Sequence, residues 1–158
     1  MCGDEDIGSA MLTLDLGVIT ANMICRYAMA VGDLDAIHHD RATAVAAGYN
    51  DVIAPPNFLP AIIGTPSGIN EGDLLFDGLD PIDIPEPLRG RRVMGGGQEL
   101  SFKQPVQAGT RVACRRKLLD LRTKQTKRGE LMIARTEAAY FDQDGTLLLT
   151  CVQTMLAI

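Results

Sequence analysis

The chain has 158 residues, of which 46% are hydrophobic and 22% charged, a composition that predicts one folded domain spanning residues 1–158. Its net charge of −5 argues against a nucleic-acid partner, because nucleic-acid binders present a basic face. No apolar run reaches the roughly 18 residues of a membrane span, and the acidic N-terminus lacks the basic start of a signal peptide. We therefore expect a cytoplasmic protein with no membrane partner.

The four cysteines are widely spaced and form no CxxC pair: they are Cys2, Cys25, Cys114 and Cys151. Without an export signal, we interpret them as reduced thiols that mostly fill the core. The spacing favours neither a disulfide nor a zinc site.

The first predicted helix follows Thr20, a suitable N-cap, and ends at Gly32, which suits the left-handed position after a helix. Its side chains repeat with the spacing of a packed helix face, and this predicted core stripe consists of Ile24, Tyr27, Ala28 and Val31. The pattern therefore predicts one amphipathic helix of about three turns.

Two further helices are predicted in the first half of the chain. Asp40 is a suitable N-cap for a short helix that stops at Gly48. A third lies in PPNFLPAIIG, with Pro55 and Pro56 at its start and Gly64 at its end. Because this third helix is strongly apolar, we expect it to be buried.

Residues 65–92 are rich in Pro, Gly and acidic side chains. A loop of this length inside a compact domain is uncommon, and such loops often act as lids or partner-binding segments. A passive surface insertion explains the composition equally well.

Four candidate strands follow, separated by turn signals: QELSFKQPV, TRVACRRKLLDLRT, GELMIARTEAAYFD and TLLLTCVQTMLAI. The predicted order is helices first and an antiparallel meander second. That order indicates an α+β domain in which a sheet curls around the buried helix. The basic residues of the second strand and its turn either dock phosphates or guard a solvated hairpin.

The stretch GDLDAIHHD holds the only two histidines of the chain. Asp33 and His38 would lie about 140° apart on a straight helix, so they can meet only if the helix ends at Gly32. Such a pair can hold one water between a carboxylate that takes its proton and an imidazole that orients it or returns a proton. A polar turn is the other interpretation. A metal site is not favoured, because His38 and His39 are adjacent in the chain and point in different directions.

Two blocks of the sequence resemble a known family. YAMAVGDLDAIHHDRATAVAAGYNDVIAPPNFL is similar to the signature of the MaoC-like dehydratases, also called (R)-specific enoyl-CoA hydratases. That signature has an aromatic residue, small residues, Gly-Asp-x-Asn-Pro-hydrophobic-His-x-Asp and a downstream Ala or Gly. GGGQELSFKQPVQAGTRV resembles the FAS1-like dehydratase branch, and the resemblance runs from about residue 23 to the C-terminus. The matching positions of the first block are Tyr27, Gly32, Asp33, Ile37, His38 and Asp40.

The resemblance implies a hot-dog fold, in which a curved antiparallel sheet wraps a long central helix, here PPNFLPAIIG. It implies a hydratase or dehydratase that adds or removes water across a 2-enoyl thioester, with Asp33 and His38 as the catalytic pair. Coenzyme A or an acyl carrier protein would carry the acyl group, and no cofactor or metal is implied. The partner would be a second hot-dog subunit, in a homodimer or a hetero-oligomer.

The family polarises the thioester carbonyl with a backbone N–H at the start of the wrapped helix. Proline has no N–H, so Pro55 and Pro56 leave Asn57 as the first donor. On the same resemblance, Pro56 and Gly48 join Asn57 in the oxyanion and substrate-binding part of the site. His39 is expected to tolerate substitution by Ala.

The chain departs from the family pattern at three places. Asp35 stands where the signature has Asn, Ala36 where it has Pro, and Met94 where a His often precedes the Gly-rich strand. Neither of the first two changes removes the catalytic pair. Two other functions stay open on this fold: a thioesterase, and a non-catalytic subunit that supports a catalytic partner.

Overall fold

A computed structural model describes residues 10–63, 70–76, 78–81, 83–127 and 129–158 of the protein. It contains one five-stranded sheet in which every neighbouring pair is antiparallel, with the strand order β1-β3-β4-β5-β2. The strands are β1 (Ala10–Val18), β2 (Val93–Phe102), β3 (Arg111–Thr126), β4 (Gly129–Phe141) and β5 (Leu147–Ala157). This architecture confirms the predicted α+β hot-dog class.

The first helix, α1 (Ala21–Val31), begins and ends as the sequence predicts. The hydroxyl of Thr20 accepts a hydrogen bond from the N–H of Met23 at 3.2 Å, which caps the helix. Gly32 ends it with a φ of 75°, in the left-handed region that glycine adopts without a steric cost. The core-facing stripe is shorter than predicted, because Val31 is 56% exposed.

The second helix, α2 (Arg41–Ala46), also follows its predicted signals. The carboxylate of Asp40 accepts hydrogen bonds from the N–H groups of Ala42 and Thr43 and from the Thr43 hydroxyl. These bonds, with the Thr43 hydroxyl first, hold the pKa of Asp40 below its usual value of 3.8.

The helix expected to be long and central is short. The helix α3 (Phe58–Ile62) has five residues, and its predicted end at Gly64 lies outside the described residues. It is nevertheless buried as expected, since Phe58 and Leu59 are almost fully enclosed by the main core. The 11-residue helix α1 shares the central position, because Tyr27 packs edge to face on Phe58 with ring centroids 5.4 Å apart.

The strand predictions need two corrections. The edge strand β1 was not predicted, so the order of helices first and strands second is wrong. The strand β2 begins at Val93, upstream of the predicted QELSFKQPV, and ends at Phe102. The strands β3, β4 and β5 form a meander, while β2 lies at the edge of the sheet and pairs with β5.

Part of the segment 65–92 is packed against the sheet. It contains two 3-10 turns, Glu71–Asp73 and Glu86–Leu88. Ile84 and Leu88 are buried in a second hydrophobic cluster with residues of β3, β4 and β5. A passive surface insertion is therefore wrong for the stretch that follows residue 82.

Cys25, Cys114 and Cys151 are free thiols, and Cys2 lies outside the described residues. Burial raises the pKa of Cys114 to about 12 and also raises that of Cys151, so both stay protonated near neutral pH. None of the helices in the described ranges is long and apolar enough to cross a membrane.

Candidate active site

The end of α1 places Asp33. After the left-handed turn at Gly32, the N–H of Asp33 donates to the carbonyl of Ala28 at 2.9 Å. This bond satisfies one of the free carbonyls at the helix end and fixes the backbone of Asp33 against α1. The side chain of Asp33 also accepts from the N–H of Asp35 at 3.2 Å, which aims the carboxylate across the following loop.

A single 3-10 turn, Ala36–His38, carries His38. Asp35 caps this turn, since its carboxylate accepts from the N–H of Ile37 at 3.1 Å. Asp35 therefore has a structural role that Asn could also fill, so the departure from the family signature preserves the cap of this turn. The turn leaves the side chain of His38 only 8% exposed.

The imidazole of His38 meets the carboxylate of Asp33. Its Nε2 lies 3.3 Å from Oδ2 of Asp33, while its Nδ1 lies 2.7 Å from the carbonyl oxygen of Ile53. A carbonyl can only accept, so Nδ1 carries a proton and donates it to Ile53. The neutral imidazole then has its lone pair on Nε2, directed at Asp33.

This geometry gives the pair its chemistry. Nε2 and the carboxylate are then both acceptors, so a water bound beside them can donate one hydrogen bond to each. The pair can therefore accept a proton from a bound water and return it to a neighbouring atom. The structure brings together the two side chains that the sequence proposed as a pair.

The carbonyl of Ile53 is held by backbone pairing. Ile53 forms an isolated bridge with Gln107, and the next residue, Ala54, donates to the carbonyl of Val106 at 2.7 Å. The orientation of His38 is thus set by the core-side segment that precedes α3. Sequence reasoning missed this contact, because any residue type supplies a backbone carbonyl.

His39 is also part of this local structure. Its Nε2 lies 2.8 Å from the carbonyl oxygen of Asp33, and its Nδ1 lies 3.4 Å from Sγ of Cys25 on α1. His39 therefore contacts the backbone of one member of the pair. The adjacent histidines in GDLDAIHHD were the sequence feature that could have indicated a role for both residues.

Asn57 is the N-cap of α3 and precedes its first turn. Its φ of 66° is left-handed, the one such value outside glycine among the described residues. No described residue accepts a hydrogen bond from its N–H. The side-chain oxygen of Asn57 accepts from Gln98 on β2, which ties this turn to the sheet.

The other two predicted binding residues lie at turns. Pro56 is exposed beside Asn57, and Gly48 follows α2 with a φ of 95°. The structure gives Gly48 a conformational reason that is independent of any ligand. Contacts of either residue with substrate stay a prediction.

A cavity of about 340 Å³ lies between α3, the sheet and the residues around Asp83. Its wall includes Pro60 and Ile63 of α3 and Gln98 of β2. Asp33, His38 and Asn57 do not line it, so we assign no chemistry to the cavity. Through Gln98, however, it adjoins the Asn57 turn.

The basic run of β3 does not form one patch. Arg116 points inward, is 5% exposed and pairs with Asp83, whereas Lys117 pairs with Glu137 on the neighbouring strand. Within the described ranges, no three His, Cys, Asp or Glu side chains come together as metal ligands.

Comparisons with known proteins agree with the hot-dog fold of this chain. The model of the family described as "FAS1-like, dehydratase domain region" matches residues 6–151, so the chain belongs to that family. A UPF0336 protein of Thermobifida fusca is 33% identical over 105 residues, which cover 66% of this chain and 62% of that protein. This chain spans about half the length of several other curated relatives.

Two solved structures share the fold. R-Hydratase PhaJ1 from Pseudomonas aeruginosa is 19% identical, with a TM-score of 0.66 that covers 96% of this chain and 81% of that one. A chain of the ChsH1–ChsH2 complex from Mycobacterium tuberculosis is 22% identical, with a TM-score of 0.67 and coverage of 92% and 82%. At these identities the likeness establishes the fold and not the reaction.

Proposed function

We propose that the protein is a hydratase or dehydratase that interconverts 2-enoyl and 3-hydroxyacyl thioesters. The observation that carries this proposal is the contact between Nε2 of His38 and Oδ2 of Asp33, with Nδ1 fixed by Ile53. A fixed tautomer beside a carboxylate suits the removal of one proton from a water and the delivery of one proton to the α-carbon.

In the hydration direction, the water oxygen forms a bond to the β-carbon of the enoyl thioester. The Asp33–His38 pair removes one proton from that water as the bond forms. The electron pair of the double bond moves toward the thioester carbonyl, and a proton from the pair then reaches the α-carbon. Dehydration is the same sequence reversed, so one pair serves both directions.

The negative charge that develops on the thioester oxygen needs a donor. We assign the N–H of Asn57 to this role, because Pro55 and Pro56 have none and no described residue uses this one. The N-terminus of the five-residue helix α3 adds little, so the single N–H is the relevant group.

The carrier and partner follow from the same proposal. Coenzyme A or an acyl carrier protein would present the acyl group, and the reaction needs no further cofactor. A second hot-dog subunit is the proposed partner, in a homodimer or a hetero-oligomer. β2 supports this, because it is an edge strand that pairs with β5 alone and is mostly exposed. The free thiols Cys25, Cys114 and Cys151 suit the cytoplasm.

Two other functions have less support. A hot-dog thioesterase usually places a carboxylate on the wrapped helix, and the α3 sequence FLPAI has none. A non-catalytic subunit would not need an oriented Asp33–His38 pair.

The test is a spectrophotometric screen of the purified protein against 2-enoyl-CoA thioesters of graded chain length, following loss of the enoyl thioester absorbance. The matched control is Asp33→Asn, which keeps the size of the side chain and removes its charge. Turnover of at least one substrate by the wild type, and its loss in the folded variant, is the expected result. Wild-type turnover that persists in Asp33→Asn would place the chemistry elsewhere, and equal inactivity of both across the series would overturn the proposal.

A further inference from the structure

The imidazole of His39 bridges α1 to the backbone of Asp33. Because the carbonyl of Asp33 can only accept, the contact at 2.8 Å requires a proton on Nε2 of His39. In the neutral ring, Nδ1 is then an acceptor, and the thiol of Cys25 donates to it at 3.4 Å. His38 carries its neutral-state proton on Nδ1, so the two adjacent histidines have opposite tautomers.

The loop that carries Asp33 has little packing to hold it. Leu34 is 79% exposed, and Asp35 and Ala36 are exposed as well. Hydrogen bonds therefore fix the loop in place of buried side chains. On the backbone of Asp33, the N–H is held by Ala28 and the C=O by His39.

We propose that His39 is a positioning residue that sets the distance between the Asp33 carboxylate and Nε2 of His38. This inference rests on the proposed hydratase function. Without the bond from His39, the Asp33 carbonyl turns toward solvent and the peptide that follows it is free to rotate. The carboxylate then moves relative to His38, and a displacement of about 1 Å at a catalytic group can cost about 100-fold in rate.

Two amide variants separate this role from simple space filling. In His39→Gln the amide nitrogen reaches the position of Nε2, so it can still donate to the Asp33 carbonyl. In His39→Asn the amide ends near the position of Nδ1 and cannot reach it. We expect kcat to fall about 10- to 100-fold in His39→Asn, with KM little changed. In His39→Gln, kcat should stay close to the wild-type value.

Cys25→Ala is the matched control, because it removes the other partner of the same ring. It should change kcat much less than His39→Asn does, since the bond to Asp33 remains. If Cys25→Ala costs as much as His39→Asn, or if folded His39→Asn and His39→Gln have equal kcat, the positioning role is wrong. If His39→Asn does not fold, the comparison is made with His39→Leu against the same Gln variant.

A second readout does not depend on turnover. The chain has two histidines, so each His39 variant contains a single imidazole, that of His38. Its ¹⁵N and ¹³C NMR signals should match the wild type in His39→Gln and shift in His39→Asn. Unshifted signals in both variants would overturn the inference. A shift in His39→Asn alone, together with a wild type that hydrates no enoyl thioester, would retain the positioning role and reject the proposed reaction.

Discussion

The guanidinium of Arg116 holds the carboxylate of Asp83 at 2.9 Å and also donates to the carbonyl of Asp83 at 3.1 Å. Arg116 is on β3, with 6% of its side chain exposed, whereas Asp83 belongs to the segment between α3 and β2. A buried charge on the sheet thus anchors the Pro- and Gly-rich segment over it. The same two residues line the 340 Å³ cavity, so this ion pair also shapes the cavity wall.

Removing the Asp83 carboxylate should destabilise the protein more than removing the Arg116 charge. Asp83→Ala leaves a buried guanidinium without its carboxylate, and breaking a fully buried pair costs about 3–5 kcal/mol. Because Asp83 is 31% exposed, we expect about 2 kcal/mol, measured by urea unfolding.

Arg116→Met is the matched variant for this pair. It fills much of the same volume with an apolar chain and leaves Asp83 able to hydrate at the surface. We expect a smaller loss in this variant, and the double variant should resemble it. An Asp83→Ala protein that is at least as stable as Arg116→Met would show that the anchor is unimportant.

The losses caused by Asp33→Asn and His38→Ala should not add. If both groups hold one water, removing either disables the same step, and general acid–base catalysis contributes about 100- to 10,000-fold. We expect each single variant to lose turnover on that scale, with the double variant no worse than the poorer single one.

Stability is the control for this cycle. His38→Ala leaves the Ile53 carbonyl without its imidazole donor, so circular dichroism must confirm a folded protein before rates are compared. Losses that multiply in the double variant would mean that the two groups act in separate steps, contrary to a shared water.

The sequence predicted the helices of the fold better than its strands. Caps such as Thr20 and Asp40 act on neighbouring backbone groups, so the local sequence is enough to predict where α1 and α2 begin. The strand β1 has alternating Leu12, Leu14 and Leu16, but its pairing with β3 joins positions far apart in the chain. The local sequence does not specify which strand β1 pairs with.

The same difference between local signals and distant contacts applies to the candidate site. Asp33 and His38 were found because side-chain type and spacing carry the signal, and the turn at Gly32 makes their approach possible. The contacts of Ile53 and His39 use backbone carbonyls, which the sequence does not distinguish. The left-handed conformation of Asn57 was missed, since it was expected to lie within the first helical turn.

The Asp40 cap of α2 predicts that the stability of the fold depends on pH. Hydrogen bonds from Thr43 and Ala42 lower the pKa of Asp40 in the folded state below the unfolded value of 3.8. The ionised carboxylate therefore stabilises the fold above that value, and the stabilisation is lost as pH falls through the lowered folded pKa. We expect the Tm of the wild type to exceed that of Asp40→Ala at about pH 6 and the gap to shrink below about pH 4.

Asp40→Asn supplies the control for this titration. Asparagine keeps an uncharged acceptor at the N-cap, so the Tm difference between Asp40→Asn and Asp40→Ala should not vary with pH. A gap between the wild type and Asp40→Ala that is the same at about pH 6 and about pH 2.5 would contradict the assignment to the Asp40 carboxylate.

The conformation of Asn57 decides which substitutions are tolerated there. At a φ of 66°, glycine is unstrained, whereas a β-branched residue costs about 1–2 kcal/mol. We expect Asn57→Gly to fold and to keep most activity, and Asn57→Val to be less stable by thermal unfolding. Both variants lose the contact with Gln98, so the difference in stability between them reports the cost of the left-handed backbone conformation.

Proline cannot be used to remove the N–H of Asn57, because its ring fixes φ near −65° and the site needs 66°. An α-hydroxy acid incorporated at position 57 replaces the amide with an ester and keeps the side chain. Because no described residue accepts from that N–H, the exchange should leave stability nearly unchanged. It should raise the barrier by about 2.7–4 kcal/mol, the effect of losing one oxyanion donor. The expected readout is kcat lower by about 100- to 1,000-fold with a small change in KM. Full activity in the folded ester protein would mean that another group polarises the thioester carbonyl.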